Sequence, residues 1–105
     1  MDSQFGNRIR SLREEQSMLL RQLASLLEMD TAQLSKIERG ERQAKKETVL
    51  RISKLLKVTE NELITLWLAD QICYVVKDEE NALQAMMVAE NTVKYEITKT
   101  KNRND

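Results

Sequence analysis

The side chains with the clearest chemical potential lie in the segment 30–42, DTAQLSKIERGER. Its apolar Leu34 and Ile37 stand one helical turn apart, and the rest of its first turns is short or hydrogen-bonding: Thr31, Ala32, Gln33 and Lys36. Threonine or alanine can contact a thymine methyl group, glutamine can bond adenine, and lysine can bond guanine or a phosphate. Such residues near the start of a helix are typical of base reading in the DNA major groove, and a solvated helix face is the alternative for each alone.

Positive charge follows this segment closely. The stretch 36–57 contains eight basic residues against three acidic ones, Lys36, Arg39, Arg42, Lys45, Lys46, Arg51, Lys54 and Lys57 against Glu38, Glu41 and Glu47. The whole chain has a net charge of zero, so this is a local excess that can meet a polyanion. The combination favours DNA contact over a merely solvated helix.

Length and composition argue against an enzyme. A chain of 105 residues suffices for one domain with a small appendage and is short for a deep catalytic cleft. It has no histidine, no glycine-rich phosphate loop and no plausible pair of catalytic carboxylates. The single Cys73 lies in an apolar run, where a core or interface residue is expected rather than a reactive thiol. We therefore expect no catalysis, no metal and no cofactor.

The apolar runs are too short for a membrane span, which needs about 18 uncharged residues. The first ten residues, MDSQFGNRIR, contain no apolar signal core. A cytoplasmic location without membrane association is the expectation.

Local preference favours helix along nearly the whole chain, because there is no proline and the only glycines are Gly6 and Gly40. The predicted class is all-α. Apolar periodicity and capping residues predict six helices, over about 3–16, 19–28, 30–39, 47–56, 60–76 and 79–97. Asp30 is the expected N-cap of the third helix, Gly40 its stop, and Thr59 with Glu62 a capping box for the fifth.

The second and third predicted helices are short and joined by a tight turn. Leu23, Ala24 and Leu27 form the inner face of the second, and small Ala24 would let the third cross closely. This arrangement predicts a helix-turn-helix whose second member has a free face.

Residues 5–66 resemble the Cro and phage-repressor type of helix-turn-helix protein, the XRE family. The resemblance rests on apolar Leu23, Leu27, Met29, Leu34 and Ile37, on small Ala24, and on the segments IRSLREE, KIERGER and LLKVTENEL. It implies a five-helix repressor-like DNA-binding domain over 1–68. The remainder is then a helical extension over 69–97 that serves dimerisation, and a disordered tail over 98–105.

The resemblance also implies roles for residues outside the third helix. Arg13 and Glu38 correspond to a structural ion pair between the first and third helices. Arg42, Lys45 and Lys46 correspond to positions near the DNA backbone or the edge of the minor groove, with a plain solvated loop as the alternative.

The chain departs from the family pattern in its second helix. Leu19 and Leu20 stand where the family commonly has Ser or Thr followed by Gln, and Glu28 stands where a turn glycine is common. Since the lost Gln contacts phosphate in relatives, Arg21 and Gln22 are the nearest substitutes. Leu26 occupies a usually polar position, so an apolar patch beside the DNA face is expected, covered by the C-terminal helix or by a partner subunit.

The chain beyond residue 66 is best explained by pairing with a second copy, because two linked domains gain avidity on DNA. Candidate interface residues are large apolar side chains of the last two helices, each with intramolecular packing as the alternative: Trp67, Ile72, Tyr74, Val75, Leu83, Met86, Met87 and Val93.

The function indicated is sequence-specific transcription regulation on double-stranded DNA, by a homodimeric repressor or autoregulator that reads an inverted repeat with its third helix. The alternative is a protein-interaction module, such as an antitoxin or a regulator that sequesters a partner. The methionine-bearing sixth helix and the acidic C-terminal part would suit such a protein partner.

Overall fold

The computed structural model describes residues 2–102, and these form six helices with no strand among them. The helices are α1 (Gln4–Glu15), α2 (Leu20–Leu26), α3 (Thr31–Glu38), α4 (Lys46–Leu55), α5 (Glu60–Val76) and α6 (Ala82–Asn102). The all-α prediction is confirmed. Within these residues no helix is long and apolar enough to cross a membrane.

The chain divides into two compact units after Tyr74. The first unit has an aliphatic core with a single aromatic ring, Phe5, buried among leucines, isoleucines and valines from all five of its helices. α3 packs on both α1 and α2, as a helix-turn-helix requires. The largest of the fully buried side chains in this core are Ile9, Leu23, Leu34, Ile52, Leu56 and Leu63.

The first four helices end in the same way. The residue after each C-cap has a left-handed backbone, with φ of 54° at Ser17, 55° at Glu28, 78° at Gly40 and 59° at Lys57. In each case the next amide, for example Met29 N–H, bonds back to the carbonyl five residues earlier at 2.8–3.0 Å. These are Schellman endings, which normally favour glycine at the left-handed position. Only the ending of α3 has a glycine there, Gly40.

Gly40 has a second reason to be glycine. A Cβ atom on Gly40 would lie 2.8 Å from the Cβ atom of Ser3, inside van der Waals contact. The predicted stop of the third helix is therefore confirmed. At the other three endings an ordinary residue accepts the cost of the left-handed conformation.

Side chains from distant helices bond the exposed ends of others. Gln16 Nε2 donates to the carbonyl of Leu56 at 2.8 Å, at the end of α4. Arg51 of α4 donates to the carbonyls of Leu26 and Leu27 at 3.0 and 3.3 Å, at the end of α2. Since the last carbonyls of a helix have no partner within it, these contacts fasten the helices to one another.

α1 and α5 are joined by a partly exposed ion pair. Arg8 Nε donates to Glu62 Oε2 at 2.9 Å, and this hydrogen bond raises the pKa of Arg8 above its usual value. Of the predicted capping box at the start of α5, the Thr59 half is present, since the Glu62 backbone N–H donates to Thr59 Oγ1 at 3.2 Å, while the Glu62 side chain bonds Arg8.

The second unit contains the end of α5 and the whole of α6. Sequence periodicity predicts that the last helix ends at 97 and that 98–105 is disordered, whereas α6 continues to Asn102. No glycine or proline interrupts 98–102, and Thr98 and Thr100 donate to the carbonyls of Lys94 and Glu96. The disordered tail is thus wrong for 98–102, and residues 103–105 lie outside the described residues.

Candidate nucleic-acid interface

α3 begins as the sequence predicts. The Asp30 carboxylate accepts a hydrogen bond from the Ala32 backbone N–H at 3.3 Å, which caps the helix. Leu34 and Ile37 are buried in the core, and they fix the inner face of α3. The predicted base-reading residues lie on the remaining surface, with Thr31, Ala32 and Lys36 exposed and Gln33 half-buried.

α3 is held on α1 by a buried ion pair between Arg13 and Glu38. Arg13 Nε and Nη2 donate to the two Glu38 carboxylate oxygens at 2.8 and 3.0 Å, with side-chain exposures of 11% and 6%. Arg13 Nη1 also donates to the carbonyl of Met18 at 2.9 Å, just before α2. The hydrogen bond to Glu38 raises the pKa of Arg13, so the guanidinium is always charged. One side chain therefore orients α3 and the entry to α2 together.

Close approach of α1 and α3 depends on Gly6. A Cβ atom at this position would lie 2.4 Å from the Glu38 carbonyl oxygen and 2.8 Å from that of Ile37. A backbone contact of this kind leaves no room for any side chain. Sequence inspection identifies Gly6 only as one of two glycines, although a glycine inside an amphipathic helix is itself a signal of close packing.

The basic residues after α3 fall into two groups. Arg39 is occupied within the chain, bonding Ser35 and Glu41, and Arg51 is occupied at the end of α2. The predicted backbone-contact residues Arg42, Lys45 and Lys46 are exposed, and within 2–102 no salt bridge engages them. Lys45 is the N-cap residue of α4 and Lys46 its first residue, so both stand at the positive end of a helix dipole.

The loop between α3 and α4, which carries Arg42 and Lys45, is bonded to α5 through Trp67. Its indole Nε1 donates to the carbonyl of Ala44 at 2.8 Å, and Ala44 itself is buried. Trp67 is half-buried against the core. The sequence offers Trp67 as a dimer-interface residue with intramolecular packing as the alternative, and the observed contact is intramolecular.

α5 also caps α1, through Asp70. The Asp70 carboxylate accepts hydrogen bonds from the Ser3 hydroxyl at 2.7 Å and from the backbone N–H groups of Gln4 and Phe5 at 2.9 and 3.0 Å. Ser3 Oγ in turn accepts from the Gly6 N–H at 2.7 Å. Asp70 is missed by local sequence reasoning, because its partners are 65–67 residues away. Its position as the only acid within an apolar stretch is the available signal.

α2 carries the departures from the family pattern. Gln22 Oε1 accepts a hydrogen bond from the Leu19 backbone N–H at 2.7 Å, which is the half of a capping box that the N3 residue supplies. Leu19, the N-cap residue, has no side-chain acceptor for the first amides of α2. Arg21 is exposed beside it. Leu19 and Leu26 are 48% and 50% exposed, as an apolar patch requires, whereas Leu20 is half-buried and packs on the core.

The remaining candidate interface residues lie near or beyond the end of the first unit. Ile72, Tyr74 and Val75 of α5 are exposed. In α6 the predicted interface residues are exposed too, with Met86 the least at 37%: Leu83, Met86, Met87 and Val93. No residue of α6 whose side chain the structure describes is buried.

The geometry defines a helix-turn-helix class of protein, in which α3 is the second helix of the motif, packs on α1 and α2, and keeps an exposed polar surface. Comparison with known families identifies it further, since the family described as "Helix-turn-helix domain" matches residues 4–66. The chain belongs to this family, in its Cro and phage-repressor (XRE) branch, and is a DNA-binding transcriptional regulator.

Among solved structures, the restriction-modification controller protein C.AhdI from Aeromonas hydrophila is similar. It shares 30% sequence identity with a TM-score of 0.55, over 58% of this chain and 92% of that one. No curated protein sequence matches the chain significantly. The family match over 4–66 does not include the C-terminal helix.

Proposed function

We propose that this protein is a sequence-specific repressor or autoregulator that binds an inverted repeat as a homodimer, with α3 in the major groove. One observation carries the proposal: Thr31, Ala32 and Lys36 of α3 are exposed, while the inner face of the same helix is buried through Leu34, Ile37 and Glu38. A helix fixed in this way presents its free face in one orientation, which base reading requires.

The four candidate base-reading residues have complementary chemistry. Gln33 suits a bidentate contact with adenine, and Lys36 suits a guanine or a nearby phosphate. Thr31 and Ala32 are small enough to let the helix approach and to contact a thymine methyl group. The half-burial of Gln33 favours this role, because a side chain held against its neighbours loses less freedom on binding.

The DNA backbone contacts come from residues on either side of α3. Arg42, Lys45 and Lys46 are exposed cations, and two of them stand where the N-terminal amides of α4 also favour a phosphate. On the other side lie Arg21 and Gln22. The Gln22 carbonyl oxygen is used in capping α2, which leaves its amide N–H groups to donate to phosphate.

Dimerisation supplies the affinity that a single small domain lacks. Joining two domains makes the second half-site contact intramolecular and raises avidity by about a hundredfold or more. The exposed apolar residues of α5 and α6 support this step, since a large apolar patch on a small chain marks an interaction surface. The likeness to a restriction-modification controller protein supports a regulatory role.

A pair of substitutions tests the assignment of residues. Gln33→Ala should relax preference at one position of each half-site, with a loss of about 1–3 kcal/mol on the preferred sequence. Lys46→Ala should weaken binding to all sequences alike and reduce the dependence of log K on log salt by about one. Binding is measured against a set of single-base operator variants at several salt concentrations. Uniform loss in both variants would remove Gln33 from base reading.

A second candidate function is favoured by the leucine patch on α2. Leu26 borders a shallow groove whose lining also includes Met18, Arg21 and Ser25. An exposed apolar groove beside the DNA face suits a protein partner, as in an antitoxin or a partner-sequestering regulator. Co-purification of one polypeptide at fixed stoichiometry, lost in Leu26→Ser, would favour this function. Unchanged co-purification in that variant would argue against the groove.

A further inference from the structure

α6 has an exposed apolar stripe along one side. The stripe consists of four apolar residues spaced three, seven and four positions apart, which places them along one side of the helix: Leu83, Met86, Val93 and Ile97. All four are exposed, and α6 has no buried residue among its described side chains. A helix of 21 residues without a buried face is only marginally stable in water. A second helix packed on the stripe would bury it and stabilise α6.

Charge is distributed unevenly along α6 and the segment 77–81 that precedes it. Residues 77–91 contain Lys77 against four acids, Asp78, Glu79, Glu80 and Glu90, for a net charge of −3. Residues 92–102 contain Lys94, Lys99 and Lys101 against Glu96, for a net charge of +2. A partner of one charge sign would complement only half of such a helix. A reversed copy of the same helix would complement both halves.

We infer that α6 packs against α6 of a second copy in antiparallel orientation, and this inference rests on the homodimer of the proposed function. With the two-fold axis near Glu90, Leu83 of each copy meets Ile97 of the other. Lys99 and Lys101 then lie beside the acidic segment 78–80 that precedes α6 of the second copy. A parallel arrangement would instead set each acidic segment beside its own copy, and the helix dipoles would also repel.

The one charged pair on the stripe fits this arrangement. Glu90 and Lys94 form an ion pair at 2.9 Å, one turn apart on the side that carries the apolar residues. In the antiparallel pair the two Glu90 residues meet at the two-fold axis, where each carries its own lysine as a counter-ion. A charged position inside an apolar seam disfavours registers that would bury it against apolar side chains, so it fixes the alignment of the helices.

Cross-linking of cysteine variants tests the orientation. Leu83→Cys and Ile97→Cys are made separately in a full chain that also carries Cys73→Ser, and each is treated with a mild oxidant alone and as an equal mixture. A disulfide forms only when the two Cα atoms come within about 7 Å. The antiparallel pair predicts little cross-linking in either variant alone. In the mixture it predicts a mixed disulfide, because random exchange places about half of the chains in hybrid dimers.

A spin label at Lys99→Cys, again in a chain that carries Cys73→Ser so that each copy has one label, gives a second reading that does not disturb the stripe. Antiparallel helices centred at Glu90 separate the two labels by about 27 Å along the axis, whereas parallel helices bring them within about 10 Å. Sedimentation of the unmodified chain supplies the control for association itself.

Three results would decide the matter. A dimer that gives mixed disulfides and the long label distance supports the inference. A dimer in which each cysteine variant cross-links with itself overturns the antiparallel orientation and leaves the proposed homodimer standing. A chain that stays monomeric at every concentration overturns both this inference and the homodimer. DNA selection, which reads the helix-turn-helix directly, tests the regulator independently.

Discussion

The two units of this chain differ in how their helices are held. In the first unit the helix ends are bonded by side chains from other helices, and the apolar residues are enclosed: Asp70 caps α1, Arg51 fastens α2, and Gln16 fastens α4. In the second unit no described side chain of α6 is buried, and its ion pair of Glu90 with Lys94 joins neighbouring turns of the same helix. The apolar core of the first unit is thus enclosed within one chain, whereas the apolar stripe of α6 is exposed.

This difference matches the two roles that we propose, DNA binding by the first unit and dimerisation by the second. α3 is fixed by Arg13, by the close approach at Gly6 and by the core, as the base-reading role that we propose for it requires. In the dimer that we propose, α6 joins two copies, and its apolar face is exposed in a single chain. Substitutions at the joints of the first unit should therefore change its unfolding, while matched changes outside those joints should not.

The largest effect is expected from Glu38→Ala. This change leaves the Arg13 guanidinium charged in a nearly buried site with two of its three hydrogen bonds lost, which should cost about 3–5 kcal/mol of unfolding free energy. Urea denaturation measures the loss. The control is Glu41→Ala, which breaks the exposed ion pair with Arg39 and should cost less than about 1 kcal/mol. Equal effects would mean that burial does not distinguish the two pairs.

Gly6→Ala should come next, with a loss of about 1–3 kcal/mol, because the new methyl group would push α1 and α3 apart. Asn7→Ala is the control on the same helix, where the exposed position and good helix propensity of alanine predict a small gain. Thermal unfolding of both variants gives the comparison. A Gly6→Ala protein as stable as the parent would show that the close approach is not needed.

Asp70→Asn should cost about 1–2 kcal/mol. The amide has one acceptor oxygen in place of the two that bond Ser3, Gln4 and Phe5, and it removes the negative charge from the start of α1. The same chemical change at Asp78, in the second unit, should alter unfolding of the first unit by less than about 0.5 kcal/mol. If the two substitutions act alike, Asp70 does not hold α1.

The smallest expected effect is a gain. Glu28→Gly removes the penalty of a side chain at φ of 55° and should stabilise the first unit by about 0.5–1 kcal/mol after the added flexibility of the unfolded chain. Glu28→Ala removes the same charge and keeps the penalty, so it should leave stability nearly unchanged. Stabilisation by alanine as large as by glycine would point to charge and away from backbone conformation.

Local structure was largely predictable from sequence. The six helices, the Asp30 cap, the Thr59 cap and the Gly40 stop follow from spacing and residue type, and all appear in the structure. The Arg13–Glu38 pair follows from family resemblance and is present, while no local pattern would have paired residues 25 positions apart.

Long-range contacts were not predictable in this way. Asp70, Trp67 and Gln16 bond groups between 23 and 67 residues away, and nothing in their neighbourhood specifies those partners. The end of α6 was misjudged for a different reason. Absence of apolar residues in 98–102 suggested disorder, but threonine and lysine continue a helix when no glycine or proline stops it, and lysines favour the negative end of its dipole.

The most direct test of the central claim is selection of bound duplexes from a random DNA pool, using the purified chain alone at physiological salt. The account predicts an inverted repeat whose half-site centres lie about 10 base pairs apart, one turn of the double helix, or a multiple of that spacing. Weak, salt-sensitive retention of duplexes without any shared motif would contradict it, because binding would then rest on charge alone.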